Sequence, residues 1–240
     1  MKFIENWIKS KCIYYTLALS AIGVGIYGLT YRQISSGWQN PPFSWQDRPA
    51  LVRTHFITGP IVLILGIFQF NQNLRLKHPS VHRWIGRIYT LSNLISTIVV
   101  FNMFLHSAFG LVTVISFFIL NVLWLVSLVI AIYFIAIKKC IISHKYWMIR
   151  NYAITCSAIT FRIVMGIFIP IFGLEIAYQL GASNCFFWNI ILAELIIKKL
   201  KQMPNTNQNS PAQATQVANS DIIKGGDKSP QEHMDLQGQV

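Results

Sequence analysis

Five side chains of this sequence carry the chemistry most worth following. His55, His82, His106 and His144 stand at or near the starts of four successive apolar runs, and Arg162 interrupts the last of these. Imidazole changes charge near neutral pH and suits iron as a ligand. One histidine from each of two facing helices can fill the axial positions of a b-type haem, with the second ring nitrogen bonded to a carbonyl that fixes the tautomer. Two histidines near each face of a membrane is the layout that a two-haem electron-transfer bundle requires. Arg53, Arg83, Arg87 and Arg150 lie where guanidinium groups could pair with haem propionates. Trp84, Phe104 and Trp147 could cover the porphyrin.

Other readings of the same residues stand beside this one. Histidines at membrane boundaries also sit beside Trp, Tyr and Arg as interface residues with no ligand, and the chain has no C-x-x-C-H haem attachment motif. His78 and His82 have i, i+4 spacing and His144 could join them on zinc, but no carboxylate is close in sequence to act as general base. An arginine within a span is costly and marks function by default. Arg162 could hold a propionate, a substrate anion or backbone carbonyls. Glu194 is four residues before Lys198 and is expected to form an interfacial ion pair with it.

The elements that position these groups follow from composition. The chain has 240 residues, 53% hydrophobic and 12% charged, with a mean hydropathy of +0.47. That balance belongs to a membrane protein. A net charge of +12 would suggest nucleic acid in a soluble chain. Here the bases flank apolar runs, where they fix topology and touch anionic lipid, so no nucleic-acid partner is expected. Cys12, Cys140, Cys156 and Cys185 are scattered and form no disulfide framework.

A spanning helix needs about 20 largely apolar residues. Cys12–Tyr31 is expected to be an uncleaved first span and Thr54–Leu74 a second, with Gly59 and Pro60 predicting a kink. Between Arg87 and Lys138 there is no Asp, Glu, Lys or Arg. As one helix that stretch would reach about 75 Å, against a core of about 30 Å. It must fold back, with the turn at His106–Gly110 between spans three and four. Asn151–Leu174 and Ile176–Ile197 are expected as spans five and six. Residues 1–201 then form the transmembrane domain, and the Gln-, Asn-, Ser- and Pro-rich 202–240 a disordered tail. Sixteen Lys and Arg fall on the side of the termini and three on the other. The positive-inside rule therefore predicts both termini in the cytoplasm.

Three stretches, HRWIGRIY (His82–Tyr89), HKYWMIRNYAITCSAITFR (His144–Arg162) and WNIILAE (Trp188–Glu194), resemble a bacterial membrane family, domain-of-unknown-function family 2306. The resemblance covers roughly His55 to Glu194. It implies a multi-pass protein of the bacterial inner membrane and places His55, His82, Arg87, His144, Arg150 and Arg162 at motif positions, with no activity attached. In arrangement the chain is also similar to diheme transmembrane cytochromes b of the ascorbate-dependent ferric reductase type. That likeness implies His55 paired with His106 on one haem b and His82 with His144 on the other. His106 departs from it by sitting in a turn.

The expectation is an all-α integral membrane bundle of six helices with a four-helix core, spans two to five. Its expected function is transmembrane electron transfer through haem, with lipid and a redox partner or quinone as partners. The alternative is a non-redox protein that binds or transports a small molecule through a lining of histidines and Arg162.

Overall fold

The computed structural model describes residues 19–24, 26, 49–105 and 109–202. Of the expected first span, residues 19–24 and 26 are helical, and the rest lies outside the described residues, as do His106 and the tail from 203 onward. The elements are α1 Pro49–Gln69, α2 Gln72–Lys77, α3 Pro79–Phe104, α4 Gly110–Ala136, α5 Ile141–Thr155, α6 Ser157–Asn184 and α7 Phe187–Gln202. No strand occurs among the described residues. The described residues up to Ile197 form one compact unit, and every interaction below lies within it.

Local sequence explains the starts and stops. Pro79 opens α3, where a missing N–H costs nothing and φ is preset. The Asn71 side chain accepts from the Leu74 N–H at 3.1 Å and caps α2. α1 runs through Pro60 as one helix, and the Thr54 and Thr58 hydroxyls donate back to the Ala50 and Thr54 carbonyls at 2.8 and 2.9 Å. Such back-bonding leaves no hydroxyl open to lipid. The second span was expected at Thr54–Leu74. It starts and ends earlier, because Phe70 and Asn71 turn the chain into the separate helix α2.

Ala50–Gln69, Pro79–Phe104, Gly110–Ala136 and Ile141–Gln202 are each long and apolar enough to cross a membrane. The last is 62 residues long, about 93 Å if straight, so it too must reverse. It does so inside α6 at Gly173, whose φ of 77° and ψ of 174° are non-helical. A positive φ is open to glycine and costly for residues with a Cβ. Side-chain partners confirm the hairpin. A Cβ at Gly181 would sit 3.0 Å from the Phe161 ring, the Asn189 amide donates to Thr160, and Glu194 reaches Arg150. As one arm climbs the other descends. These arms are the fifth and sixth spans expected from sequence, although the helix begins at Ile141 rather than Asn151 and breaks at Cys156 and again before Phe187.

Helix directions follow in the same way. α1 and α3 are antiparallel, with Val52 against Val99 and Met103 at one end and Gln69 beside His82 at the other. Thr97 beside Asn121 sets α3 and α4 antiparallel, and Trp124 beside Asn151 does the same for α4 and α5. α3 and α5 therefore run the same way. Their starting end carries Arg75, Lys77, Arg83, Lys138, Lys139 and Lys145, and is called the basic end below.

The surface is apolar and much of the core is polar. Leu111 is 71% exposed and Ile98 65%, whereas Asn93, Asn151, Ser96 and Thr113 are fully buried. Lipid is as apolar as leucine, so packing and hydrogen bonds, rather than apolar burial, hold such helices together. One contact is especially tight. A Cβ on Gly66 of α1 would overlap the Tyr152 ring of α5, whose hydroxyl donates to the Leu63 carbonyl at 3.0 Å.

Candidate functional site

α1, α3, α4, α5 and α6 line a partly open cavity of about 460 Å³ away from the basic end. Its walls are chiefly apolar and aromatic. Phe161 stands edge-on to Tyr178 with ring centres 5.0 Å apart, and Phe117 lies against both. Its polar lining includes His55 from α1, Asn121 and Trp124 from α4, Thr155 from α5 and Arg162 from α6, and among the described residues no Asp or Glu lines it. His55 lies in the second turn of α1 with its ring 5.4 Å from Phe56, edge-on. Its Nδ1 is buried and has no hydrogen-bond partner. Arg162 Nη1 donates to the Ala158 carbonyl at 2.7 Å, which turns the side chain back along its own helix beside the cavity.

Beneath the cavity lies a buried polar layer between α3, α4 and α5. Asn151 Oδ1 accepts from the Tyr89 hydroxyl at 2.6 Å and from Asn93 Nδ2 at 3.3 Å. Its Nδ2 donates to the Trp124 carbonyl at 2.9 Å and to Ser127 Oγ at 3.0 Å. Trp124 Nε1 donates to Thr155 Oγ1 at 2.9 Å, and Thr155 donates to the Asn151 carbonyl at 3.0 Å. With no water in the hydrocarbon, these amides and hydroxyls must satisfy one another. Thr155 and Trp124 also line the cavity, so the layer forms its floor.

At the basic end, His82 and His144 share a level. Tyr89 on α3 bonds Asn151 on α5, and two turns earlier on these parallel helices stand His82 and His144. His144 Nδ1 lies 2.8 Å from the Ala131 carbonyl, while His82 Nδ1 is buried without a hydrogen-bond partner.

The structure thus joins His82 with His144, and His55 with Arg162. Neither His82 nor His144 lines the cavity, and His106 lies outside the described residues. Arg87 stacks on Trp84 at 4.8 Å from the ring centre. Arg150 stacks on Trp147 at 4.6 Å and grips the Glu194 carboxylate through Nε at 2.5 Å and Nη2 at 3.0 Å. The expected partner of Glu194 was Lys198, four residues along. The hairpin instead brings in Arg150, forty-four residues away, whose planar fork fits a carboxylate bidentately. Among the described residues no three His, Cys, Asp or Glu side chains cluster to hold a metal ion.

Reading charges and imidazoles passes over Tyr89, Asn93, Asn121, Asn151 and Thr155. Their signal was present. An amide within an apolar run has no partner in lipid and must find one in another helix.

An all-helical, lipid-faced bundle with a polar layer and a lined cavity defines a multi-pass integral membrane protein. The chain belongs to the family described as "Predicted membrane protein (DUF2306)", whose profile matches residues 52–197. No curated protein and no solved structure matches the chain.

Proposed function

We propose that the protein binds a small amphiphilic molecule within the bilayer, with an anionic head at His55 and Arg162 and an apolar body among the aromatic rings. The observation that carries this is the lining of the cavity, a guanidinium and an imidazole set among chiefly apolar walls, with no carboxylate among the described residues that line it. Its volume of about 460 Å³ suits a small ligand, since such pockets run from about 300 to 1,000 Å³. Arginine remains charged at any accessible pH and favours carboxylate or phosphate heads. The charge asymmetry supports a bacterial inner-membrane orientation with the basic end and both termini in the cytoplasm. The cavity then lies towards the opposite face.

The test is calorimetric titration of the purified protein in amphipol with decanoate and with its methyl ester. A charge-assisted hydrogen bond contributes about 1.5–3 kcal/mol, so decanoate should bind at least about tenfold more tightly. Arg162→Leu should remove that preference while insertion persists. Equal binding of acid and ester would overturn the reading.

A second reading has its own observation at the basic end. His144, with Nδ1 held by the Ala131 carbonyl, keeps Nε2 for a ligand, and His82 stands level with it. A b-type haem between them would supply electron transfer. Arg150 is engaged by Glu194, which leaves Arg83 and Arg87 for its propionates. The absorption spectrum of protein from haem-replete cells decides. A low-spin haem lost in His82→Ala and in His144→Ala, and kept in His78→Ala, supports it. Protein without haem removes it.

A further inference from the structure

Asn121 stands in the middle of α4, is 4% exposed and lines the cavity. Its Nδ2 donates to the Thr97 carbonyl of α3 at 3.1 Å. A backbone carbonyl only accepts, so the nitrogen must face α3 and the orientation of the amide is settled. The oxygen is what Asn121 has left to offer, and this Oδ1 is buried with no hydrogen-bond partner. Neighbouring donors are already used. Trp124 Nε1 bonds Thr155, and the Thr155 hydroxyl bonds the Asn151 carbonyl. A buried acceptor with no donor costs about 1–3 kcal/mol, and lipid supplies no donor. Leucine at this position would avoid that cost within an apolar run, so the acceptor is matched to a donor from outside the chain, a water or the hydroxyl of a ligand.

We infer that Asn121 selects ligands bearing an O–H or N–H donor at a point on the apolar body remote from the anionic head. The ligand class becomes the hydroxylated amphiphilic acids, with the acid at Arg162 and His55 and the hydroxyl hydrogen on Asn121 Oδ1. This rests on the reading of the cavity given above. It adds a second polar contact of opposite sense, since Arg162 only donates and Asn121 Oδ1 only accepts. A ligand that satisfies both is held at two points and fixed in orientation, whereas a plain fatty acid leaves the amide oxygen buried and unsatisfied.

The experiment uses the full-length protein in amphipol and three probe series: octanoate, decanoate and dodecanoate, their ω-hydroxy counterparts, and their ω-methoxy counterparts. Varying the length scans the separation between head and donor. At one length the ω-hydroxy acid should bind about tenfold more tightly than both the parent acid and the ω-methoxy acid, a ratio typical of one buried hydrogen bond. The methoxy series keeps the oxygen and removes the donor, so wild-type protein alone tests the claim. Asn121→Leu should abolish the preference of the ω-hydroxy acid over its parent and methoxy counterparts. Parent acids that bind with no hydroxyl preference at any length overturn the role of Asn121 and leave the cavity reading standing. A preference shared by the methoxy acid, or one that survives Asn121→Leu, overturns it as well. If none of the acids binds, both readings fail together.

Discussion

Replacing Asn151 by leucine tests whether the buried polar layer holds the bundle together. Asn151 is fully buried and makes side-chain hydrogen bonds to Tyr89, Asn93, the Trp124 carbonyl and Ser127. Hydrogen bonds between membrane helices average about 0.6 kcal/mol each, so four sum to about 2.4 kcal/mol. Leucine also leaves Asn93 Nδ2 buried without an acceptor, which adds about 1 kcal/mol or more. The expected loss is about 3 kcal/mol, roughly a hundredfold or more in the folding equilibrium. Leucine enters lipid more cheaply than asparagine, so the loss cannot be assigned to poorer insertion. Denaturation by SDS in mixed micelles, followed by tryptophan fluorescence, measures it. Ser183→Ala is the control, because the bonds of Ser183 stay within its own helix, to the Gln179 and Leu180 carbonyls and from the Asn184 amide, and it should shift stability by less than about 0.5 kcal/mol. Asn151→Leu within about 1 kcal/mol of wild type would refute the reasoning.

Gly66→Ala should destabilise by at least about 1–3 kcal/mol through overpacking on the Tyr152 ring, and Tyr152→Ala in the same chain should recover part of it in the same denaturation assay. Glu194→Gln should cost less than about 1 kcal/mol, because its ion pair with Arg150 is half open to solvent, with side-chain exposures of 49% and 24%. Reporter fusions after Gly110 and Gly173 should report the face opposite to a fusion after Lys139, and a shared face would undo the helix order. Cys140 lies between α4 and α5 with its sulfur 3.3 Å from Ser143 Oγ, and that hydroxyl holds its thiol below the usual range by stabilising the thiolate. Ser143→Ala should therefore move the pH midpoint of maleimide labelling upward, measured in a Cys12→Ser background.

The architecture was legible because lipid imposes a coarse rule on sequence. A run of fifty residues without Asp, Glu, Lys or Arg can only be two spans, and the helices indeed end at Phe104 and restart at Gly110. The reversal between the last two arms was legible to within a residue or two of Gly173, because a stretch of that length cannot cross only once. Helix starts were harder. α5 begins well before Asn151 because the interfacial residues Ser143 to Arg150 are polar enough to fall outside a hydropathy window and still helical. The site was legible only in part. Arg162 and His55 stand out by charge and ring, but nothing in the sequence says that α1 and α6 bring them to one chamber. The ion pair of Glu194 was misassigned because a near neighbour on its own helix seemed sufficient until a hairpin supplied a bidentate one. Asn121 and Asn151 went unweighed because an amide carries no charge to draw attention, although lipid penalises an unpaired amide too.

The polar layer also bears on how the chain is made. Tyr89 and Asn151 are partners 62 residues apart in sequence. At ribosomal rates of about 5–20 residues per second, Tyr89 and Asn93 emerge some 3–12 s before the Asn151 amide that bonds both. During that interval the nascent α3–α4 hairpin carries bare hydroxyls and amides that hydrocarbon cannot bond. Those side chains need a polar surface to wait on, whether the lateral gate of the insertion machinery, a chaperone groove or each other. Biogenesis of this bundle is therefore timed by α5, and synthesis that stalls after α4 leaves a quality-control substrate already marked by its own unmet bonds.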